Sequence, residues 1–160
     1  MKYRQIWEDY YSPNRSTPIS RLNILKEWLA ECNSKHLHCE GILDKIATQL
    51  PTRVLEISDE EVKPFKIKLH ISNGENASYI ALSHSWGPSA PLRTVKSNLD
   101  KHQQGIPYDD LPSTFRDAVL MAWYIGCRYL WIDSLCVIQD DNDDWEIEVA
   151  GLIAWDILSI

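Results

Sequence analysis

Residues 111–133 constrain the fold of this chain more than any other stretch. Leu111-Pro112-Ser113-Thr114 opens a run in which Phe115, Ala118, Val119, Ala122, Trp123 and Ile125 recur at helical spacing, and Gly126 supplies a C-terminal stop. Tyr129-Leu130-Trp131-Ile132 then reads as a buried strand that ends at Asp133. Upstream, Tyr79-Ile80-Ala81-Leu82-Ser83 reads as a second, continuously apolar strand. A further helix is expected from about Asn142, with Trp145, Val149, Leu152 and Ile153 turned inward. Strand, loop, helix, strand, acidic turn, helix is the order of an α/β unit.

The segments before that unit have a different texture. The stretch through Pro18 is polar and rich in turn residues, and reads as a loosely held arm. Ser20 can cap a helix running to about Cys32, with Leu22, Leu25, Leu29 and Cys32 on one face. After Pro51, Val54-Leu55-Glu56-Ile57 is a short strand. Phe65, Ile67, Leu69 and Ile71 alternate with Lys66, Lys68 and His70, the period of a half-buried strand. Asn73-Gly74 offers turn chemistry for a reversal. A small antiparallel unit feeding the buried Tyr79 strand is therefore expected. Beyond Trp86-Gly87-Pro88 a loop of about twenty residues reaches Leu111, with weak helical content near 95–101. The domain reading is an N-terminal arm and helical leader over 1–50, a β leader over 51–78, and the α/β unit over 79–160. The last helix is still apolar at Ile160, so the chain is expected to stop inside its domain.

Composition narrows the function classes. The chain has 160 residues, is 44% hydrophobic and carries a formal charge of −7, which argues for a real core and against a nucleic-acid-binding surface. The whole charge deficit lies in residues 81–160. No apolar run is long enough to span a bilayer, and MKYRQIWEDY lacks the apolar stretch of a signal peptide. A cytoplasmic protein is expected. Cys32, Cys39, Cys127 and Cys136 then read as reduced thiols. Seven tryptophans suit a dense core more than a binding surface.

Several constellations could carry chemistry. Asp133 ends a buried strand, where α/β folds gather ligand groups, with Cys136 and Gln139 one turn on. Two readings stand: these residues face a ligand, or Asp133 caps the next turn and Cys136 is a small buried hydrophobe. Asp140, Asp141, Asp143, Asp144, Glu146 and Glu148 favour the positive end of the following helix and solvate its outer face. Their spacing lacks the glycine and closing glutamate of an EF-hand, so no metal is expected. Glu148 sits one turn into the helix beside the inward face. It is either partly desolvated, and so suited to acid–base or cation-stabilising work, or an ordinary solvated glutamate. Cys32, His36, His38 and Cys39 are metal-capable types without the second pair a zinc site needs. Ser83 and His84 are strand neighbours facing opposite ways, which prevents a simple nucleophile–base pair, and Cys136 with His84 is a conceivable thiol–imidazole pair. The scattered glycines form no phosphate-cradling loop.

Three blocks of the sequence resemble the heterokaryon incompatibility (HET) domain of filamentous fungi. Tyr79-Ile80-Ala81-Leu82-Ser83-His84-Ser85-Trp86-Gly87 is similar to the family's Y-x-A-L-S-x-x-W-G opening. Gly105-Ile106 with Leu111-Pro112-Ser113-Thr114-Phe115-Arg116-Asp117-Ala118 resembles its G-I…L-P-x-T-F-x-D-A stretch. The third block runs from Arg128 through Trp131-Ile132-Asp133-Ser134-Leu135-Cys136 to Gln139-Asp140, followed by Asp144-Trp145 and Glu148.

The resemblance implies a cytosolic module acting in fungal non-self recognition and programmed cell death signalling, with protein partners or self-association and no required cofactor. The family has been likened to TIR domains, which implies a partial flavodoxin/TIR-like three-layer unit here. It also implies an alternative activity, NAD glycohydrolysis, with NAD as substrate. Glu148 would then stabilise the oxocarbenium-like centre and Asp133 would contact or support the ribose. Ser83, Trp86, Cys136 and Gln139 are the matching positions that would contact the ligand. TIR enzymes show W-x-x-x-E, whereas this chain has Trp145-x-x-Glu148. Family members continue past the Asn142 helix, so a truncated, inactive member is a further expectation.

Overall fold

The computed structural model describes residues 18–35, 48–58, 66–85 and 92–148. They belong to two compact units, Met1–Ile46 and Ala47–Ile160. In the first unit, α1 (Pro18–Lys35) begins two residues before the expected Ser20 cap. Proline suits a helix start, because its missing N–H would have had no intrahelical partner there. Leu25, Leu29 and Cys32 form its less exposed face, as the spacing predicts. Ile24 and Trp28, one turn apart, stand in solvent. His36, His38 and Cys39 lie outside the described residues.

The second unit is built on a four-stranded mixed sheet in the order β3-β2-β6-β5, where β2 is Arg53–Ile57, β3 Ile67–Ile71, β5 Tyr79–Leu82 and β6 Tyr129–Ile132. β2 pairs antiparallel with both β3 and β6, and β5 runs parallel to β6. Parallel neighbours require a crossover. Here it contains α2 (Leu99–Gln104), a 3-10 turn (Tyr108–Asp110) and α3 (Ser113–Ile125). The fold is therefore α/β, and its parallel β–α–β character is confined to the β5–β6 pair. The expected twenty-residue loop is partly structured: α2 occupies its middle, and Ile106 bridges to Ile67 on β3.

The two faces of the sheet differ in chemistry. Strand partners place Leu55, Ile57, Ile67, Leu69, Leu130 and Ile132 on one side, all essentially buried. Phe115, Val119 and Leu120 of α3 are buried with them and form the core. Burying such side chains contributes roughly 1.5–3 kcal/mol each. The opposite face carries a charge cluster. Glu56 meets Lys68 at 2.9 Å and also Arg128, while His70 contacts Glu75. Burial pushes the Glu56 carboxyl up, but the bonds from Lys68 and Arg128 outweigh it and hold the group below the usual range.

α3 ends as its sequence predicts. Gly126 takes φ of 85°, its N–H reaches Trp123 O, and Cys127 N–H reaches Ala122 O. This double closure satisfies orphan carbonyls and needs a residue that tolerates the left-handed region. Two other expectations are revised. The chain does turn at Asn73-Gly74, with Gly74 at φ 78°, yet this closes no hairpin on β3. Instead β4 (Asn76–Ala77) pairs with β1 (Thr48–Gln49) as a separate two-stranded ribbon. The Tyr79 strand is not deeply buried either. β5 flanks the sheet on β6 alone among the described strands, so its residues are half-buried and Ala81 is exposed.

Candidate functional site

The register brings the candidate residues to one end of the sheet. Leu82 pairs with Ile132, so Ser83-His84 and Asp133 leave β5 and β6 side by side. β2 runs the other way, which sets its first residue, Arg53, at that same end. The short helix α4 (Asp133–Cys136) follows β6 directly, and residues 142–148 are helical (α5). Carboxyl ends of parallel strands are where open α/β sheets gather ligand groups.

Glu148 belongs to a closed ionic cluster. Arg53, only 6% exposed, donates from Nε to Cys136 O at 2.7 Å. Its second terminal nitrogen meets Asp144 Oδ1 at 2.6 Å and Oδ2 at 2.5 Å, and Glu148 Oε1 at 3.3 Å. Asp144 Oδ2 also accepts Ile138 N–H at 2.8 Å. One guanidinium thus faces two carboxylates, and Asp144 holds the shorter contact. Burial pushes the Glu148 carboxyl above its usual range, and Asp144 adds to that. The Thr52 hydrogen bond and the Arg53 charge pull it back only in part. Tyr79 is also pushed up, first by burial and then by the Glu148 charge.

This cluster turns α5 over. The expected inward face included Trp145, which instead is 54% exposed, beside Ile147 at 62%. Val149, Leu152 and Ile153 lie outside the described residues. The physical reason is the Arg53 guanidinium. Acids one helical turn apart can both reach it, and that pairing orients the helix more firmly than one indole does. The acidic run is accordingly not a uniformly solvated face. Asp140 accepts Lys96 N–H, Asp141 pairs with Lys96 at 3.0 Å, and Asp144 and Glu148 point inward.

Asp133 sits in a different environment. Its Oδ1 accepts Ser134 N–H at 2.7 Å, at the first residue of the short helix, while the N-cap position itself is Ile132. The same oxygen lies 3.4 Å from His84 Nδ1. His84 stands edge-on to Phe115, with centroids 4.9 Å apart and an 89° interplanar angle. The structure does not pair His84 with a nucleophile. Ser83 is exposed on the other side of the strand. Cys136 has no exposed surface, its sulfur accepts Ile132 N–H, and burial pushes the thiol up to about 12. It is therefore the small buried hydrophobe of the two readings given for it. Gln139 spends its side-chain amide on the carbonyls of Asp133 and Val137, which shapes the loop rather than leaving donors free. Trp86 lies outside the described residues.

Two residues that hold this end together escaped the sequence reading. Arg53 opens the strand and shares with Leu55 and Ile57 its buried face. A cation there, with acids excessive only in the second half, is the signal for a buried pair. Thr94 is fully buried; its hydroxyl donates to Leu135 O at 2.6 Å and meets His102 Nδ1 at 2.9 Å. Burial, helped by Lys101, lowers the proton affinity of that histidine. Among the described residues no group of His, Cys, Asp or Glu could hold a metal ion.

Residues 79–153 match the family model described as Heterokaryon incompatibility protein (HET). That stretch is the HET-like part of the chain. Asp133, Asp144, Glu148, α3 and the parallel strand pair all fall within it, whereas Arg53 lies outside. Over 105 residues, 64% of this chain, the sequence is 25% identical to Vegetative incompatibility protein HET-E-1 of Podospora anserina. The aligned stretch spans only 7% of that relative's length. No solved structure matches the chain. Among the described residues no helix is long and apolar enough to cross a membrane.

Proposed function

We propose that this HET-domain chain acts in heterokaryon incompatibility, as a signalling module that triggers fungal cell death by associating with protein partners or with itself. The observation that supports this reading is the inverted α5 helix. Arg53 draws Asp144 and Glu148 inward, and Trp145 and Ile147 are presented to solvent. Large exposed apolar side chains on a firmly anchored helix suit a protein contact. Glu148, by contrast, is 4% exposed and engaged by Arg53, which leaves it little access to a substrate. The test is expression of a Trp145→Ala, Ile147→Ala variant in a filamentous fungus. It should fold, lose the death reaction and sediment as a smaller species than the parent. An undiminished reaction would sink the reading.

One observation favours a second reading, the TIR-like NAD glycohydrolase. Glu148 is a buried carboxylate held above its usual pKa by desolvation, as catalytic acids often are. Nicotinamide release from NAD by the purified chain, lost in Glu148→Gln, would establish it. Absence of release from a folded chain would remove it.

A further inference from the structure

The Ala47–Ile160 unit exposes two patches of opposite charge. One is the outer side of α5, where Trp145 and Ile147 stand in solvent among Asp143 and Glu146, themselves exposed. Among the described residues neither of these acids forms an ion pair, whereas Asp141 is engaged by Lys96, and Asp144 and Glu148 by Arg53. The other patch lies on the sheet face opposite the core, at the end where β6 begins. Register sets Lys68, Glu56 and Tyr129 side by side across β3, β2 and β6. Arg128 bonds Glu56 through Nε at 3.1 Å, and its guanidinium lies over the Tyr129 ring, 5.6 Å from the centroid. Two cations thus share one carboxylate there, and the Arg128 side chain is still 64% exposed.

We propose that these two patches bind each other between copies of this chain, with Trp145 of one copy stacked on Arg128 of another. The inference rests on the α5 reading given above and names the partner of that helix as a second copy. An indole is the best aromatic face for a guanidinium, and Trp and Arg are the side chains that most often dominate a protein contact. Charge then selects the pairing. Asp143 and Glu146 beside the indole meet the cation surplus of Lys68 and Arg128. The alternatives repel: α5 against α5 sets acid on acid, and the Arg128 patch against itself sets cation on cation. Both halves of the contact are present on one chain, so a second copy supplies the complement of each.

The experiment is sedimentation velocity of the purified chain beside two charge-reversed forms, one carrying Asp143→Lys and Glu146→Lys, the other Arg128→Glu. The parent should associate reversibly, with a dissociation constant that rises about tenfold between low and high salt. Each reversed form alone should be monomeric. Mixed in equal amounts they should pair again, because the reversed patch of each complements a patch of the other. A form that had merely failed to fold could not give that recovery, and Lys68→Glu, at the same patch, should act as Arg128→Glu does. A monomeric parent, a reversed form that associates as the parent does, or a mixture that stays monomeric would overturn the proposal. If it is overturned while Trp145→Ala, Ile147→Ala still silences the death reaction, only the second-copy partner falls and the signalling reading stands.

Discussion

Two carboxylate clusters stand at the same end of one sheet, and they are built on opposite terms. The Arg53–Asp144–Glu148 cluster is closed: its cation is 6% exposed and bonded to two acids and a carbonyl. The His84–Asp133 pair is open, with Asp133 partly in solvent and the imidazole buried but unbonded. Closed ionic clusters hold elements in place, because removing one member leaves the others buried and uncompensated. The family resemblance implies one candidate site for Glu148 and Asp133, whereas the structure gives each its own partners.

The contrast can be broken most severely at Arg53. Arg53→Met leaves two buried carboxylates without a cation and should destabilise the chain by about 3–5 kcal/mol in denaturant unfolding. A loss below about 1 kcal/mol would mean that the cluster is not closed. Asp144→Asn removes the two short charge-assisted bonds and weakens the acceptor for Ile138 N–H, and should cost about 1.5–3 kcal/mol.

Glu148→Gln should differ in kind. It keeps a hydrogen-bonding side chain and removes the surplus negative charge, so stability at neutral pH should stay within about 1 kcal/mol of the parent. The pH dependence carries the sign. The folded Glu148 holds its proton above the ordinary carboxylate value of 4.5, so the folded state binds more protons in that window. Its contribution is present at acid pH and is lost as pH rises through the raised value. The variant should therefore gain on the parent as pH increases from 4.5. Glu56 behaves oppositely. Its lowered carboxyl contributes stability above 4.5 that fades as pH falls, and Glu56→Gln should lose most at neutral pH. The smallest effect is expected for His84→Leu. No hydrogen bond is lost there, and stability should stay within about 0.5 kcal/mol of the parent in thermal unfolding.

The fold was legible where local pattern and burial agree. α3, its Gly126 stop, β6 and the alternating β3 strand follow from periodicity and turn chemistry, because each buries one face against a single core. The turn at Asn73-Gly74 was legible as a turn but not as to its partner, since β1 lies more than twenty residues upstream and offers two residues for pairing. The site was less readable. Asp133 could be placed at the strand end from hydropathy alone. The orientation of α5 could not, because its apolar positions pointed one way and Arg53, far upstream in sequence, pulled the other. A helix with Trp145 outside and Glu148 inside reverses the hydropathy rule. Only a buried cation found in three dimensions explains it.

The central claim is that exposed apolar side chains of α5, not the Glu148 carboxylate, carry the signalling role. The most direct measurement compares the death reaction of the parent, Glu148→Gln and Trp145→Ala, Ile147→Ala, each expressed at matched levels in a filamentous fungus. The account predicts that Glu148→Gln kills as the parent does and that the double variant does not. A Glu148→Gln chain that folds but no longer kills, beside an active double variant, would contradict it.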